Sequence, residues 1–376
     1  MKLIWKILIP LLITVISIDG ILVYQNIKSR LDALDEKRIV EMESNYKNIV
    51  TFMKKQEDKL LTVAIQMAST NEIQKTFAQN DRKGLLDLIK PGYDQMTEKN
   101  LISSISFFKI PATSFLIPHM MKNFNKDVSA FRPGVVAVET ENKFKTGIES
   151  GKMALALRAI VPISYRGKLI GTLDVYRRLD NLLLEELRNI IPGDFSIYVP
   201  EKMQKMMNQV KLSTKAPQGF LAYSSLAKNL LAINSNIYQA VFNKKKELIV
   251  EVTDQEHTYD VLIAPIFDIQ GNVIALIEMR QIKDNLLEQI NESRNMGLIF
   301  GLIILVVATL VVWTIVLRFI TKPIGHLVEV ADAISYGDFS QEIKVSTKDE
   351  IGELALSIER MRVSLKGAIE RLRKRK

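Results

Sequence analysis

The chain has 376 residues, is 47% apolar and 25% charged, and carries a formal net charge of +9 with no cysteine. The absence of cysteine excludes disulfide scaffolds, thiolate metal sites and thiol nucleophiles, and the three histidines (His119, His257, His326) lie too far apart in sequence to point to a multi-histidine metal centre. The apolar content is that of a folded protein of about two or three domains, and the charge leaves nucleic acid, an anionic membrane surface and anionic ligands open as partners.

The first element is an apolar run from Ile7 to Tyr24, ILIPLLITVISIDGILVY, preceded by Lys2 and Lys6. Asp19 lies near its outer end, where a carboxylate reaches the interface. A cleaved signal peptide is the rival reading. No clear small-x-small cleavage site is present and the helical pattern runs on through GILVYQNIKSRLDALDE, so a membrane anchor over residues 1–24 is expected. From Tyr24 to about Ser69 the pattern stays helical. Met42, Tyr46, Ile49, Met53, Gln56, Leu60, Val63 and Met67 step by four and three, a seam with one polar member. Such a seam fits a coiled coil between two copies, or an amphipathic helix lying on its own domain, and both can hold along one helix. Shorter helix is expected over 71–100, broken at Lys90-Pro91-Gly92.

Strand patterns begin at Leu101. LISSISFFKI, SFLIPH, FKTGIES, MALALRAIVPISY and LIGTLDVY alternate with polar loops, and Arg166-Gly167 marks a hairpin. A second set, DFSIYV, ELIVEVT, YDVLIAPIFD and VIALIEM, surrounds a helix-rich insert at about 201–243. The two sets end alike: residues 162–183 match 265–287, with Gly167, Asp174 and Asp180 each 104 positions before Gly271, Glu278 and Asp284. The second turn carries one extra residue. The shared Asp-Asn-Leu-Leu in register with the turn glycine reads as duplication.

Met296 to Leu317 is a second uncharged apolar run, long enough to cross a hydrocarbon core of ~30 Å, with Trp313 near one end and Arg318 and Lys322 beyond it. Basic residues beside both runs place both termini in the cytoplasm and residues ~25–295 outside, at a plasma or inner membrane. The +9 then divides into +1 for residues 1–23, +5 for the outer segment and +3 for 318–376, so no compartment is strongly basic and nucleic acid is not expected as a partner. Past the second run, Ile320, Ile324, Leu327, Ala331 and Ile334 step by four and three, as do Leu354, Ile358, Met361, Leu365, Ala368 and Leu372. A connector from Tyr336 to Lys348 joins these helices, and Thr347-x-x-Glu350 is a capping box opening the second. Two short helices cannot bury both seams alone; two copies forming a parallel four-helix bundle can.

The residues from Pro111 to Gly171 resemble one branch of the double Cache sensor family, found on bacterial chemoreceptors and sensor kinases. Pro111, Ser114, Phe115, Leu116, His119, Asp127, Arg132, Gly147, Glu149, Gly151, Arg158, Pro162, Gly167 and Gly171 carry the likeness, which covers roughly residues 40–290. The chain departs from the family pattern at Asn125-Lys126-Asp127 and at Met153-Ala154. Pro323, Gly337 and the run Asp349-Glu350-Ile351-Gly352-Glu353-Leu354 resemble a HAMP domain. The two likenesses together imply an α+β chain: a long N-terminal helix, two tandem PAS-like modules (distal at about 101–178, proximal at about 190–282) within 25–295, membrane helices at 1–24 and 296–317, and a HAMP bundle over 318–372 in a homodimer. HAMP signal relay would rest on Pro323, Gly337, Glu350, Ile351, Gly352 and Leu354.

Cache modules resemble PAS domains, which bind ligands between sheet and covering loop, and here the distal module is the expected site. Its covering segment, 109–150, and the adjoining strands offer aromatic walls (Phe107, Phe108, Phe115, Phe131) and fixed polar groups (Thr113, His119, Arg132, Arg158). Arg158 interrupts the apolar strand ALALRAIVPI and demands an acid, either Glu149 or a ligand carboxylate. Asp174 could receive an amine or lie on an exposed strand face, and His119 could instead be a hydrogen-bonded structural residue. The expected function is a sensor for a small organic acid, amino acid or amine that signals through HAMP to a cytoplasmic partner or to an output domain in a longer chain. A membrane scaffold whose outer domain binds another protein is the alternative. No nucleophile–base pair or metal-ligand cluster points to an enzyme, and no cofactor is expected.

Overall fold

The computed structural model describes every residue except 1–2, 123, 153, 208–210, 214–215, 228–230, 232, 344–348 and 374–376, and leaves the side chains of 3, 4, 7, 284–290, 293 and 373 out of account. Lys2, Met153, Thr347 with its capping box, the last three basic residues and the Asp284 side chain therefore lie outside the described residues. The rest divides into two units, residues 35–287 and residues 1–34 with 288–376.

The 35–287 unit starts on α1 (Leu3–Ala68), a single helix of 66 residues, and continues through α2 (Asn71–Ala78) and α3 (Arg82–Glu98). Then follow β1 (Ser104–Lys109), β2 (Thr113–Leu116), α4 (Pro133–Glu141), β3 (Lys145–Ser150), β4 (Leu155–Tyr165) and β5 (Lys168–Arg178), which form an antiparallel sheet of order β2-β1-β5-β4-β3. The proximal module repeats this plan with α5 (Asn181–Arg188), β6 (Asp194–Pro200), β7 (Phe220–Ser225), α6 (Ser235–Lys244), β8 (Leu248–Thr253), β9 (Thr258–Phe267) and β10 (Val273–Ile282), in the order β7-β6-β10-β9-β8. One permutation used twice is what the 104-residue offset implied. Asp174 on β5 stands opposite Ser106 and Ile160; Glu278 on β10 stands opposite Ser196 and Ile263. The turn glycines agree too, Gly167 at φ +76° and Gly271 at φ +83°.

The seam on α1 belongs to its own domain. Met42, Ile49 and Leu60 are buried and Tyr46, Met53, Val63 and Met67 half-buried against a core that includes Ile105, Phe107, Leu157 and Ile277. Each fully buried aliphatic side chain contributes about 1.5–3 kcal/mol. Gln56, the polar member, is buried because its carbonyl oxygen accepts from Arg177 Nη1 at 3.2 Å. Both faces of the distal sheet are covered: Ile105 and Phe107 turn to the helical layer, Ser106 and Phe108 to the α4 side. This is why β1, β4 and β5 read as continuous apolar runs. Gly171, at φ +158°, leaves the space where a Cβ would meet the Phe108 carbonyl oxygen and the Phe77 ring.

In the other unit two helices are long and apolar enough to cross a membrane, and only 6% and 11% of the residues in their apolar windows are buried, unlike the core helix of a soluble protein. The second is α7 (Asp284–Ile315), which passes through a π-helical turn, Val316–Thr321, into α8 (Lys322–Ser335). Pro323 lacks an N–H and its ring crowds the preceding turn, a cause of such widening. Trp5 and Trp313 pack edge to face at 6.1 Å, and Gly301 gives room to Val23. α9 (Glu350–Arg373) follows, with Asp349 Oδ1 accepting from Gly352 N at 3.1 Å. Leu327, Val330, Ile334, Ile343 and Ala355 form its core with α8.

Candidate functional site

The distal module encloses a cavity of about 210 Å³ between the sheet and its covering loop, a size suited to a metabolite of a few carbons. Strand alternation supplies the floor: Ser106 and Phe108 from β1, Ser114 from β2, Arg158 from β4, Tyr176 from β5. The loop supplies Ile117, His119, Met120, Lys126, Val128, Phe131 and Arg132, and the β3–β4 turn adds Lys152 and Ala154.

Arg158 is 1% exposed and lies opposite Gly147 on one side and Tyr176 on the other. Its Nη1 donates to Asp174 Oδ2, its Nε lies 3.7 Å from Glu149 Oε2, and its guanidinium sits 4.5 Å from the centre of the Tyr176 ring. Burial opposes its charge, but Asp174 and Glu149 together hold its pKa above the ordinary arginine value. Glu149 is buried at the start of α4, where its Oε1 accepts from Gly134 N at 2.6 Å. Helix N-termini favour such a carboxylate, yet burial pushes its pKa up in spite of Arg158.

Arg132 differs from Arg158 in its partners. Its Nη1 is 3.9 Å from Glu149 Oε2, and neither atom has a hydrogen-bond partner among the described residues although both are buried. Burial, reinforced by the like charge of Arg158, pushes the Arg132 pKa down to about 10. It remains protonated at neutral pH, a desolvated cation on the cavity wall. Lys126 and Lys152 stand exposed at the rim. His119 lies at the mouth, its Nδ1 2.6 Å from Ser104 Oγ and its Nε2 3.4 Å from the Tyr176 hydroxyl. Desolvation and then Arg178 hold its pKa below the usual value, so the ring is neutral at pH 7.

Of the residues singled out in the sequence, Phe108, His119, Arg132 and Arg158 meet in this cavity, and Thr113, Phe115 and Asp174 do not line it. Thr113 Oγ1 donates to the Pro111 carbonyl. Phe115 points to the opposite face and packs on Phe77 at 5.2 Å, since on β2 Ser114 takes the cavity side. Asp174 is fully buried behind Arg158. Sequence reasoning passed over Ser106, Ser114 and Tyr176; the period-two relation of Ser106 to Phe108 and of Tyr176 to Asp174 was the available signal. Among the described residues no group of three or more His, Asp or Glu side chains could hold a metal ion.

The proximal module uses the equivalent place differently. Glu278 accepts from Arg280 Nη2 at 3.0 Å and from the Tyr238 hydroxyl, and Tyr198 packs edge-on against Tyr238 at 5.4 Å. Side chains from α6 and the sheet thus cover that face. The two modules touch through the β9–β10 turn, the longer of the two hairpin turns. Ile269 N donates to the Ile148 carbonyl at 3.1 Å, and the Ile269 side chain packs over Gly147 and Gly134, beside Glu149. At the other end of the proximal sheet, Arg38 on α1 bonds Glu251 at 3.0 Å and Asp260 at 2.5 Å, and Lys283, one residue before α7, bonds the same Glu251 at 2.5 Å.

The HAMP-like residues lie in the other unit. Pro323 is in the first turn of α8, and Gly337, at φ +89°, follows its end. Glu350, Ile351, Gly352 and Leu354 form the first turn and a half of α9. Ile351 packs on the local core, whereas Leu354 is 48% exposed, as are Met361, Leu365 and Leu372 to similar or greater extents.

Comparison with known proteins agrees with this architecture. The model of a double sensory domain of two-component sensor kinases, dCache_3, matches residues 41–284, and that of the HAMP domain matches 315–367. The methyl-accepting chemotaxis protein McpA of Bacillus subtilis is 37% identical over 86 residues, 22% of this chain and 13% of the relative. The methyl-accepting chemotaxis protein CtpH of Pseudomonas aeruginosa is 31% identical over 102 residues, 26% of this chain and 18% of the relative. The sensor protein SrrB of Staphylococcus aureus is 28% identical over 171 residues, 43% of this chain and 29% of the relative. The chain spans less than a third of the length of these relatives. With its two modules of one topology followed by a HAMP segment, the chain belongs to the dCache_3 family of double sensory domains.

Proposed function

We propose that this protein is a non-enzymatic membrane receptor, anchored over 1–24 and 296–317, whose outer segment binds a small molecule in the distal module. Occupancy would be relayed through the proximal module and α7 to the HAMP segment at 318–372. The observation that carries the reading is the Arg132 guanidinium, from a residue lining a cavity of about 210 Å³, whose Nη1 lies 3.9 Å from Glu149 Oε2 and has no hydrogen-bond partner among the described residues. A buried unpaired donor is costly, and a ligand acceptor removes the cost. The Ile269 contact with β3 offers a route from the cavity wall into the proximal sheet. The Glu251 cluster ties the helix leaving the first span to the residue that precedes α7. The exposed seam of Leu354, Met361, Leu365 and Leu372 favours a homodimer, in which two copies cover it.

The test is calorimetry on the full chain in lipid nanodiscs with organic acids, amino acids and amines. Binding by one class, weakened at least about tenfold by Arg132→Ala, supports the receptor. If no compound binds, or if binding ignores Arg132→Ala, the cavity is not the sensor site and an outer domain that docks a protein becomes the better account.

A further inference from the structure

We infer that the distal cavity selects a small organic carboxylate that carries no ammonium group. This rests on the reading of the cavity as the ligand site and narrows its chemistry.

The charges divide unevenly. Arg132 and Arg158 lie on the wall and Lys126 and Lys152 at the rim, whereas no Asp or Glu is among the described lining residues. Two carboxylates stand nearby, and neither is among the lining residues, although Glu149 Oε2 and Asp174 Oδ1 have no hydrogen-bond partner among the described residues. Asp174 is fully buried and takes the Arg158 guanidinium; Glu149 takes Gly134 N and lies between the two arginines. Neither presents an oxygen to the cavity. An ammonium group placed there would find no carboxylate on the described lining and would lie near the rim lysines, an arrangement that disfavours it. A carboxylate, by contrast, meets the guanidinium of Arg132, a lining residue whose Nη1 has no hydrogen-bond partner among the described residues.

The second module gives independent support. Glu278, in the register position of Asp174, is held by Arg280 and Tyr238 and is 1% exposed. An acid at this strand position therefore serves as an internal counter-ion in both modules. The remaining polar groups in the distal cavity are neutral. Ser114 Oγ accepts from Lys126 N at 3.0 Å and still has its proton to give, and Ser106 adds a second hydroxyl. These suit a ligand hydroxyl, keto or second carboxylate oxygen. Phe108, Ile117 and Val128 provide an apolar wall that a carbon body fills and a bare inorganic anion does not.

The experiment is calorimetry on the full chain in nanodiscs with pairs that differ only by an amino group, succinate against aspartate and lactate against alanine, together with pyruvate and inorganic phosphate. At least one acid should bind, about tenfold or more tighter than its amino partner. Arg132→Gln should weaken it by at least about tenfold, and Arg132→Lys, which keeps the charge, should recover part of the loss. Circular dichroism of both variants separates a lost contact from a lost fold. Amino acids that bind as tightly as their partner acids, or phosphate as the sole binder, would overturn the ligand class and leave the receptor standing. No binding by any probe would overturn both.

Discussion

Arg158 is the side chain whose removal most sharply tests the electrostatics of the distal module. Arg158→Met leaves Asp174, fully buried, without the cation that holds its Oδ2; its Oδ1 already has no hydrogen-bond partner among the described residues. Breaking a buried pair on one side costs about 3–5 kcal/mol. That is a large share of the roughly 5–15 kcal/mol that stabilises a domain. The double variant Arg158→Met with Asp174→Leu removes both charges, and replacement of a buried pair by apolar groups is often close to neutral. Glu149 keeps Gly134 N and Arg132 in that background. Tryptophan fluorescence cannot follow the change, because the two tryptophans, Trp5 and Trp313, both lie outside the sensory unit. Hydrogen exchange on the β4 and β5 amides can. Protection should fall by about two to four orders of magnitude in the single variant, the equivalent of the 3–5 kcal/mol at about 1.4 kcal/mol per tenfold, and should return for the most part in the double. Unchanged protection in the single variant, or a double variant as exposed as the single, would refute the claim that Asp174 is an internal counter-ion.

Three other outcomes are expected. Gly171→Ala should destabilise the distal sheet by more than about 1 kcal/mol, read as a lower melting temperature by circular dichroism, because φ +158° and the Phe108 carbonyl leave no place for a methyl group. Ligand affinity should be flat from pH 7 to 9 and fall as pH rises through about 10, where Arg132 loses its proton; calorimetry across acid and alkaline pH checks it, and a change in affinity centred below the ordinary histidine value would implicate His119 instead. Glu251→Gln should loosen the link between Arg38 and Lys283, raising exchange at the first amides of α7 a few-fold, since one partly exposed carboxylate bridge contributes about 1 kcal/mol or less. The Lys283 hydrogen bond holds the Glu251 pKa below its ordinary value, so this link is complete above pH 4.5 and is lost as pH falls through the lower folded-state value.

Much of this architecture was legible in the residues because each signal had one dominant physical cause. The two apolar runs report length and composition, and the paired hairpins and the heptad steps after Arg318 report periodicity. What the sequence could not supply was the identity of the covering surface. The α1 seam from Met42 to Met67 fits another helix as well as a sheet, and only the packed core reveals that sheets cover it and that Gln56 answers Arg177. Face assignment failed on β2, where the pairing with β1 shifts register between Phe107 and Phe108. Phe115 then packs with Phe77, and Ser114 takes the cavity side. For Arg158 an acidic partner was foreseeable, but Glu149 was the natural candidate from the loop. The hydrogen bond goes to Asp174, diagonal to Arg158 across the β4–β5 pair, in which Arg158 faces Tyr176 and Ile160 faces Asp174.

The central claim is that filling the distal cavity changes the packing of the HAMP segment. A chain without cysteine provides a clean background for it. Leu354→Cys, on the exposed seam of α9, places a single thiol where two copies would meet. In nanodiscs, the rate of disulfide formation between copies should change several-fold when the carboxylate that calorimetry selects is added at saturation, and Arg132→Gln should raise the ligand concentration for the half-maximal response by at least about tenfold. Saturation of the cavity with an unchanged cross-linking rate, or an Arg132→Gln variant that responds at the same ligand concentration, would contradict the account.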